Sequence, residues 1–277
     1  MTLSARNRIL LAAFVLSLVP IVVFILTAGD SFGGAQAASA AASSRSTGLV
    51  QTILGFLSTK SAYAPLVSIT FALFFASASV VLLYYSFEKT QAPEVLFFAL
   101  FSLSFVAESF RLAVPLAVAR EWPPAFVVGA ARALVFGRFF GLLSLFASSV
   151  YASGVDFQKH GRVILISAAA SLAIATGVPV DGLAWDSALS PMPGYASMLD
   201  LVELALSLIA CLSFLVAAKS RGAQEYAVAA AGCFLVCLGR DGLIRGDNWL
   251  ALPVSATALV AGTWLLAVKV HRYYLWL

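Results

Sequence analysis

Charge is what this chain has least of: Asp, Glu, Lys and Arg make up 11% of its 277 residues, against about a quarter in soluble proteins. Its 17 basic and 13 acidic side chains cannot cover a water-soluble body of this size, which excludes a soluble enzyme. Histidine is scarcer still. His160 and His271 both fall at helix ends, so a bis-histidine haem, a membrane zinc hydrolase and serine–histidine hydrolysis lack their ligands or base at depth. No Gly-x-Ser-x-Gly and no nucleotide or cofactor motif occurs, and no catalytic residue, cofactor or metal is expected. Lys269 lies too near a helix end for a retinal Schiff base. The cysteines Cys211, Cys233 and Cys237 all sit in apolar runs rather than in loops, so they form no disulfide framework. Cys233 and Cys237 share a helix face, but their span adds no histidine or further cysteine, and all three read as small buried hydrophobes. Period-2 alternation is absent, which excludes a transmembrane β-barrel. A basic patch with interleaved aromatics is absent too, so the net charge of +4 is topological and no nucleic acid is a partner.

What is present is apolar length: 61% of the residues are hydrophobic and the mean hydropathy is +0.97. A bilayer core of about 30 Å needs about 20 such residues per helix. Eight runs meet that requirement: 9–28, 64–87, 93–119, 125–152, 162–178, 195–218, 223–243 and 249–270. The expected fold is all-α, a polytopic transmembrane bundle with one N-terminal helix followed by seven.

Lys and Arg concentrate in alternate connections. Arg6, Arg8, Lys89, Lys159, Arg162, Lys219, Arg221, Lys269 and Arg272 fall on one side; Arg45, Lys60, Arg120 and Arg245 fall on the other, with the acidic loop of Asp181 and Asp186. The richer side is cytoplasmic, which places both termini in the cytoplasm; the expected membrane is a bacterial inner membrane. Residues 1–28 read as an anchor or uncleaved signal helix, being longer than a signal-peptide core, with Ala35-Gln36-Ala37 too far beyond it for cleavage. Residues 29–61 read as an extracytoplasmic segment that begins with an Ala/Ser linker, Gly33 to Thr47, without structure of its own. An amphipathic helix on the outer leaflet follows, through Leu49, Val50, Ile53, Leu54 and Leu57. Residues 62–277 form the seven-helix bundle. The loop from Asp181 to Gly194, rich in Asp and Pro, reads as a connector rather than a buried strand.

Ionisable residues inside apolar helices cost a few kcal/mol or more unless they face the bundle interior, a partner or a wet cavity. They are Glu108 and Arg111 in the third run, Arg132 and Arg138 in the fourth, Asp200 and Glu203 in the sixth, and Arg240 and Asp241 in the seventh. At about 1.5 Å per residue, all lie at mid-membrane or in the exterior half, with Glu108 and Arg138 near their helix midpoints and expected to pair. Four arginines with four carboxylates suit either a structural ion-pair network or a polar cavity, open to the exterior, for a small polar or anionic ligand. Gly137 and Gly141 give the fourth helix a small-residue face expected to pack within the chain.

The one-plus-seven layout is similar in outline to bacterial seven-helix sensor modules, a likeness of helix count that carries over no residues. The expected function is a ligand-binding sensory or accessory module that signals through a partner membrane or cytoplasmic protein, with the lipid bilayer as its solvent. The alternatives are a secondary transporter of a small polar or anionic solute and a structural subunit of a membrane complex. A membrane enzyme using Glu108, Asp200 or Glu203 as acid or base is the least favoured.

Overall fold

The computed structural model describes residues 3–42, 60–87, 92–154 and 160–275. In chain order these form α1 (Leu3–Leu26), α2 (Ala28–Ala40), α3 (Ala64–Ser86), α4 (Pro93–Ser104), a 3₁₀ stretch (Phe105–Leu112), α5 (Ala113–Arg120), α6 (Pro124–Ala152) and α7 (His160–Gly177). A hairpin of β1 (Val180–Trp185) and β2 (Pro191–Pro193) follows, then α8 (Ala196–Arg221), α9 (Gln224–Ile244) and α10 (Ala251–Leu275). Among the described residues, eight helices are long and apolar enough to cross a membrane, the third being α4, the 3₁₀ stretch and α5 taken as one span. The chain is a multi-pass helical membrane bundle.

Local chemistry marks the helix boundaries. Proline opens α3, α4 and α6 at the first turn, where its missing N–H is no loss. Gly222, in the left-handed region with φ of 62°, ends α8. Asn248 Oδ1 accepts the Ala251 N–H at 2.7 Å and starts α10.

Burial divides the spans. The second, third, fourth and seventh are mostly enclosed, whereas α1, α7 and α8 are peripheral. The outward faces of those three carry large apolar side chains, such as Leu165, Ile166, Leu201 and Leu212. In water that surface would be a liability, but against acyl chains it is the matched one. Inside, α9 meets α10 backbone to backbone. A Cβ on Gly262 would stand 2.6 Å from the Gly232 carbonyl oxygen, and one on Gly239 would stand 2.7 Å from that of Ser255. Only glycine permits that approach.

The connections gather at two ends. At one, Asp30 pairs with Arg120, Trp185 Nε1 donates to the Ala38 carbonyl at 2.9 Å, and Lys60 and Asn248 form an antiparallel bridge. At the other, Arg221 donates to the Tyr151 carbonyl at 3.2 Å and Phe87 meets His271 edge-on. The first set joins connections one, three, five and seven, as an up-and-down bundle requires; it is called the hairpin end below.

Two expectations are corrected. The first part of the Ala/Ser linker is helical: α2 packs along α5, with Gly34 against the Pro115 backbone, because alanine needs only a surface to lie on to stay helical. The Asp181–Gly194 loop is a strand pair with a buried tip rather than a plain connector. The amphipathic segment from Leu49 to Leu57 lies outside the described residues. Replacing Gly239 by Val is expected to destabilise the α9–α10 contact by about 1–3 kcal/mol, read as a lower melting temperature in detergent. Gly129→Val, with nothing within 4 Å of its Cβ position, is the control expected to melt with the native chain.

Candidate functional site

The third span is interrupted where its charges lie. Over Phe105–Leu112 the backbone is 3₁₀, with about three residues per turn, so side chains three apart eclipse one another. Glu108 and Arg111 therefore project along one line, closer in direction than the roughly 100° step per residue of an α-helix would set them. Opposite them, α6 presents Gly137 and Gly141 to Ala107 and Ser104. The small-residue face packs inside the chain, and that closeness brings Arg138 to Glu108.

The contact is bidentate. Arg138 Nε and Nη2 donate to Glu108 Oε1 and Oε2, each at 2.9 Å. Arg111 Nη1 stands 3.6 Å from Glu108 Oε2. Glu108 and Arg111 are 3% and 0% exposed, so two guanidiniums share one carboxylate away from water. The excess positive charge needs other acceptors, and the hairpin tip delivers them. Arg111 Nε donates to the Ala188 carbonyl at 3.0 Å, and its Nη2 reaches the same oxygen. Arg138 Nη2 also donates to Ser190 Oγ at 2.9 Å. Arg111 Nη1 donates to Ser68 Oγ at 3.4 Å, and that hydroxyl in turn donates to the Leu243 carbonyl at 2.5 Å. Asp186 folds the tip: its Oδ1 accepts the Ala188 and Ser190 N–H groups at 3.0 and 2.8 Å. Its charge also acts on both guanidiniums. Leu189, fully buried, takes a left-handed φ of 60° to complete the turn.

A second group continues the centre. Arg240 Nη1 stands 3.2 Å from Glu203 Oε2, and its Nη2 donates to the Arg138 carbonyl at 3.4 Å. A third group lies at the hairpin end, where Arg245 pairs with Asp200 at 3.0 Å and Asp241 at 2.7 Å. Burial works against the Arg245 charge, but those two carboxylates outweigh it and hold its pKa above the ordinary guanidinium value. Seven of the sequence-selected residues, Glu108, Arg111, Arg138, Asp200, Glu203, Arg240 and Asp241, thus belong to this chain of contacts. Arg132 does not: it is exposed and makes no hydrogen bond or ion pair among the described residues. About two turns in from Pro124, it is close enough to the bundle end for its long stem to reach the headgroups.

Several participants carry no intramembrane charge and gave no sequence signal: Ser68, the Ala188 carbonyl and Ser190. Asp186 and Arg245 were visible only as loop charges. Above the tip, Asp247 accepts Ser187 Oγ at 2.7 Å and faces Lys60 at 3.5 Å, tying the hairpin to two neighbouring connections. Near the opposite end Glu94 is buried and accepts the Tyr226 hydroxyl at 3.2 Å. The thiols of Cys211, Cys233 and Cys237 converge, since the third comes from the neighbouring helix.

Chemically, the centre is two guanidiniums bound to one carboxylate, one carbonyl and two hydroxyls. It offers no free base, because Glu108 is held by both. Comparison with protein-family models, curated proteins and solved structures gives no match. Glu108→Gln and Arg138→Gln are each expected to destabilise the fold by about 3–5 kcal/mol, the cost of leaving a buried charge without its partner. The double variant should recover part of that loss; additive single effects in thermal unfolding would show that the two side chains do not depend on each other.

Proposed function

We propose that this protein is a ligand-binding sensory or accessory module of the bacterial inner membrane, with the hairpin end facing the exterior and a small anion as its ligand. The supporting observation is the state of Arg111. A fully buried guanidinium is held chiefly by a backbone carbonyl of a loop tip, with its nearest carboxylate at 3.6 Å. A carbonyl is a weaker partner for a cation than a carboxylate or phosphate, which binds the guanidinium fork with charge-assisted hydrogen bonds.

The hairpin tip acts as the occupant of the empty receptor. It brings the Ala188 carbonyl, the Ser190 hydroxyl and the Asp186 charge; withdrawing it leaves Arg111 and Arg138 facing Glu108 alone, with one positive charge in excess. An anion entering from the exterior then replaces the tip, and the tip's ties to Lys60 and Asp247 carry the displacement to the connections preceding the second and eighth spans. A ligand shifts such an equilibrium only by its differential affinity for the two states. Lys and Arg enrichment at the opposite end supports the orientation.

A transporter of the same anion is the second reading, favoured by the broken third span, since interrupted helices at mid-depth line many transport sites. Counterflow of the stabilising anion in proteoliposomes separates the two.

The test is thermal stability of the detergent-purified chain against a panel of carboxylates and phosphates. A stabiliser at a hundred times its dissociation constant should add about 2.7 kcal/mol, and Arg111→Gln and Arg138→Gln should abolish the effect. Asp186→Asn, which keeps the Oδ1 acceptor but removes the competing charge, should tighten binding of the same anion. A panel without a stabiliser, or an Asp186→Asn chain that binds more weakly, would overturn the proposal and leave the charged centre a purely structural network.

A further inference from the structure

We propose that Cys211, Cys233 and Cys237 form a binding site for a soft, thiophilic metal ion, with monovalent copper as the cation it fits best, separate from the anion centre. Cys233 and Cys237 lie one turn apart on α9, and Cys211 on α8 faces them across the interface. The sulfur atoms all lie within 4.8 Å of one another, and Cys211 and Cys233 are 3.6 Å apart. Three sulfurs arranged in a plane around one ion, with metal–sulfur bonds of about 2.3 Å, are separated by about 4 Å. The observed triangle needs shifts of less than an ångström to close on a metal. All three cysteines are free thiols.

The donor set selects the ion. Three sulfurs with no carboxylate or imidazole exclude hard cations such as magnesium and calcium, which require oxygen. Zinc prefers four ligands, and neither histidine is near: His160 opens α7 and His271 lies close to the end of α10. Monovalent copper is selected by thiolate ligands and is satisfied by three of them. On coordination each ligating thiol gives up its proton to bulk solvent, so the affinity rises with pH. Arg240 follows Cys237 by three residues on the same face of α9, where its positive charge, shared with Glu203, favours the thiolate form. The site would clamp α8 to α9 one to two turns from the Glu203–Arg240 pair.

The experiment uses the full chain, purified in detergent, reduced and desalted without oxygen, and titrated with monovalent copper against a coloured copper chelator. One equivalent withdrawn from the chelator, with the thiolate-to-copper charge-transfer band and a raised melting temperature, is the expected result. Cys233→Ser and Cys211→Ser should each weaken binding by about tenfold or more, since even residues outside the ligand shell alter metal affinity by about 10–100-fold. Both variants should melt close to the metal-free native chain, since serine nearly matches cysteine in size and its hydroxyl can bond the helix carbonyl one turn back. No withdrawal of copper, or equal withdrawal by a chain with all three cysteines replaced by serine, would overturn the site. One equivalent of zinc bound as tightly as copper would overturn the assignment of the ion.

Discussion

A guanidinium and a carboxylate inside a membrane bundle have to find each other, and the architecture of this protein follows from the pair formed by Arg138 and Glu108. Their separation of 2.9 Å on both arms demands that the third and fourth spans approach closely, which is why Gly137 and Gly141 face Ala107 and Ser104. It also demands that Glu108 and Arg111 point the same way, and the 3₁₀ stretch provides this. A continuous α-helix over these residues would set the two side chains about 60° apart on the same face rather than in line.

The pair is not self-sufficient, because Arg111 adds a second positive charge. The remainder of the half towards the hairpin end can be understood as the answer to that surplus. A short strand pair, unusual in a helical membrane protein, exists to carry five residues inward. Its backbone polar groups survive at depth because they are buried in protein and bonded: the tip turns on Asp186 and closes on Arg111 and Arg138. Above it, Asp247 and Lys60 fasten the entry, so the tip is held from both sides without a covalent link. Its polar contacts are directional and Leu189 adds apolar packing between them, which distinguishes it from the glycine-lined α9–α10 interface, where the backbones themselves meet.

The spans were legible because hydropathy over about 20 residues is a strong signal; the expected limits of α3, α4–α5 and α9 agree with those observed to within a few residues. The charged centre was legible because intramembrane charges are few and each demands a partner, which singled out Glu108 and Arg138. Three features were not. Arg132 carries the same charge as Arg138 and sits two turns away, but sequence spacing does not say which side of a helix faces lipid when both sides are apolar. The hairpin tip contributes through a backbone carbonyl, which every residue possesses. The third thiol comes from a different helix, and helix pairing is a tertiary fact that spacing within one span cannot reveal.

The ion pairs of the buried groups have a consistent order along the chain. Glu108 finds Arg138 in the next span, Glu203 finds Arg240 in the next, and Asp200 finds Arg245 just beyond it. The third span carries its own acid and base and is neutral alone. Away from its ends the fourth brings only arginines and the sixth only carboxylates, and each is an expensive segment to release singly into lipid. During synthesis the fourth span meets a carboxylate already waiting in the third, whereas the sixth must be held until the seventh follows. Each of the carboxylates Glu108, Glu203 and Asp200 thus has its arginine in the next span or just beyond it, and the spacing of opposite charges in the sequence keeps the wait for a partner to about one helix.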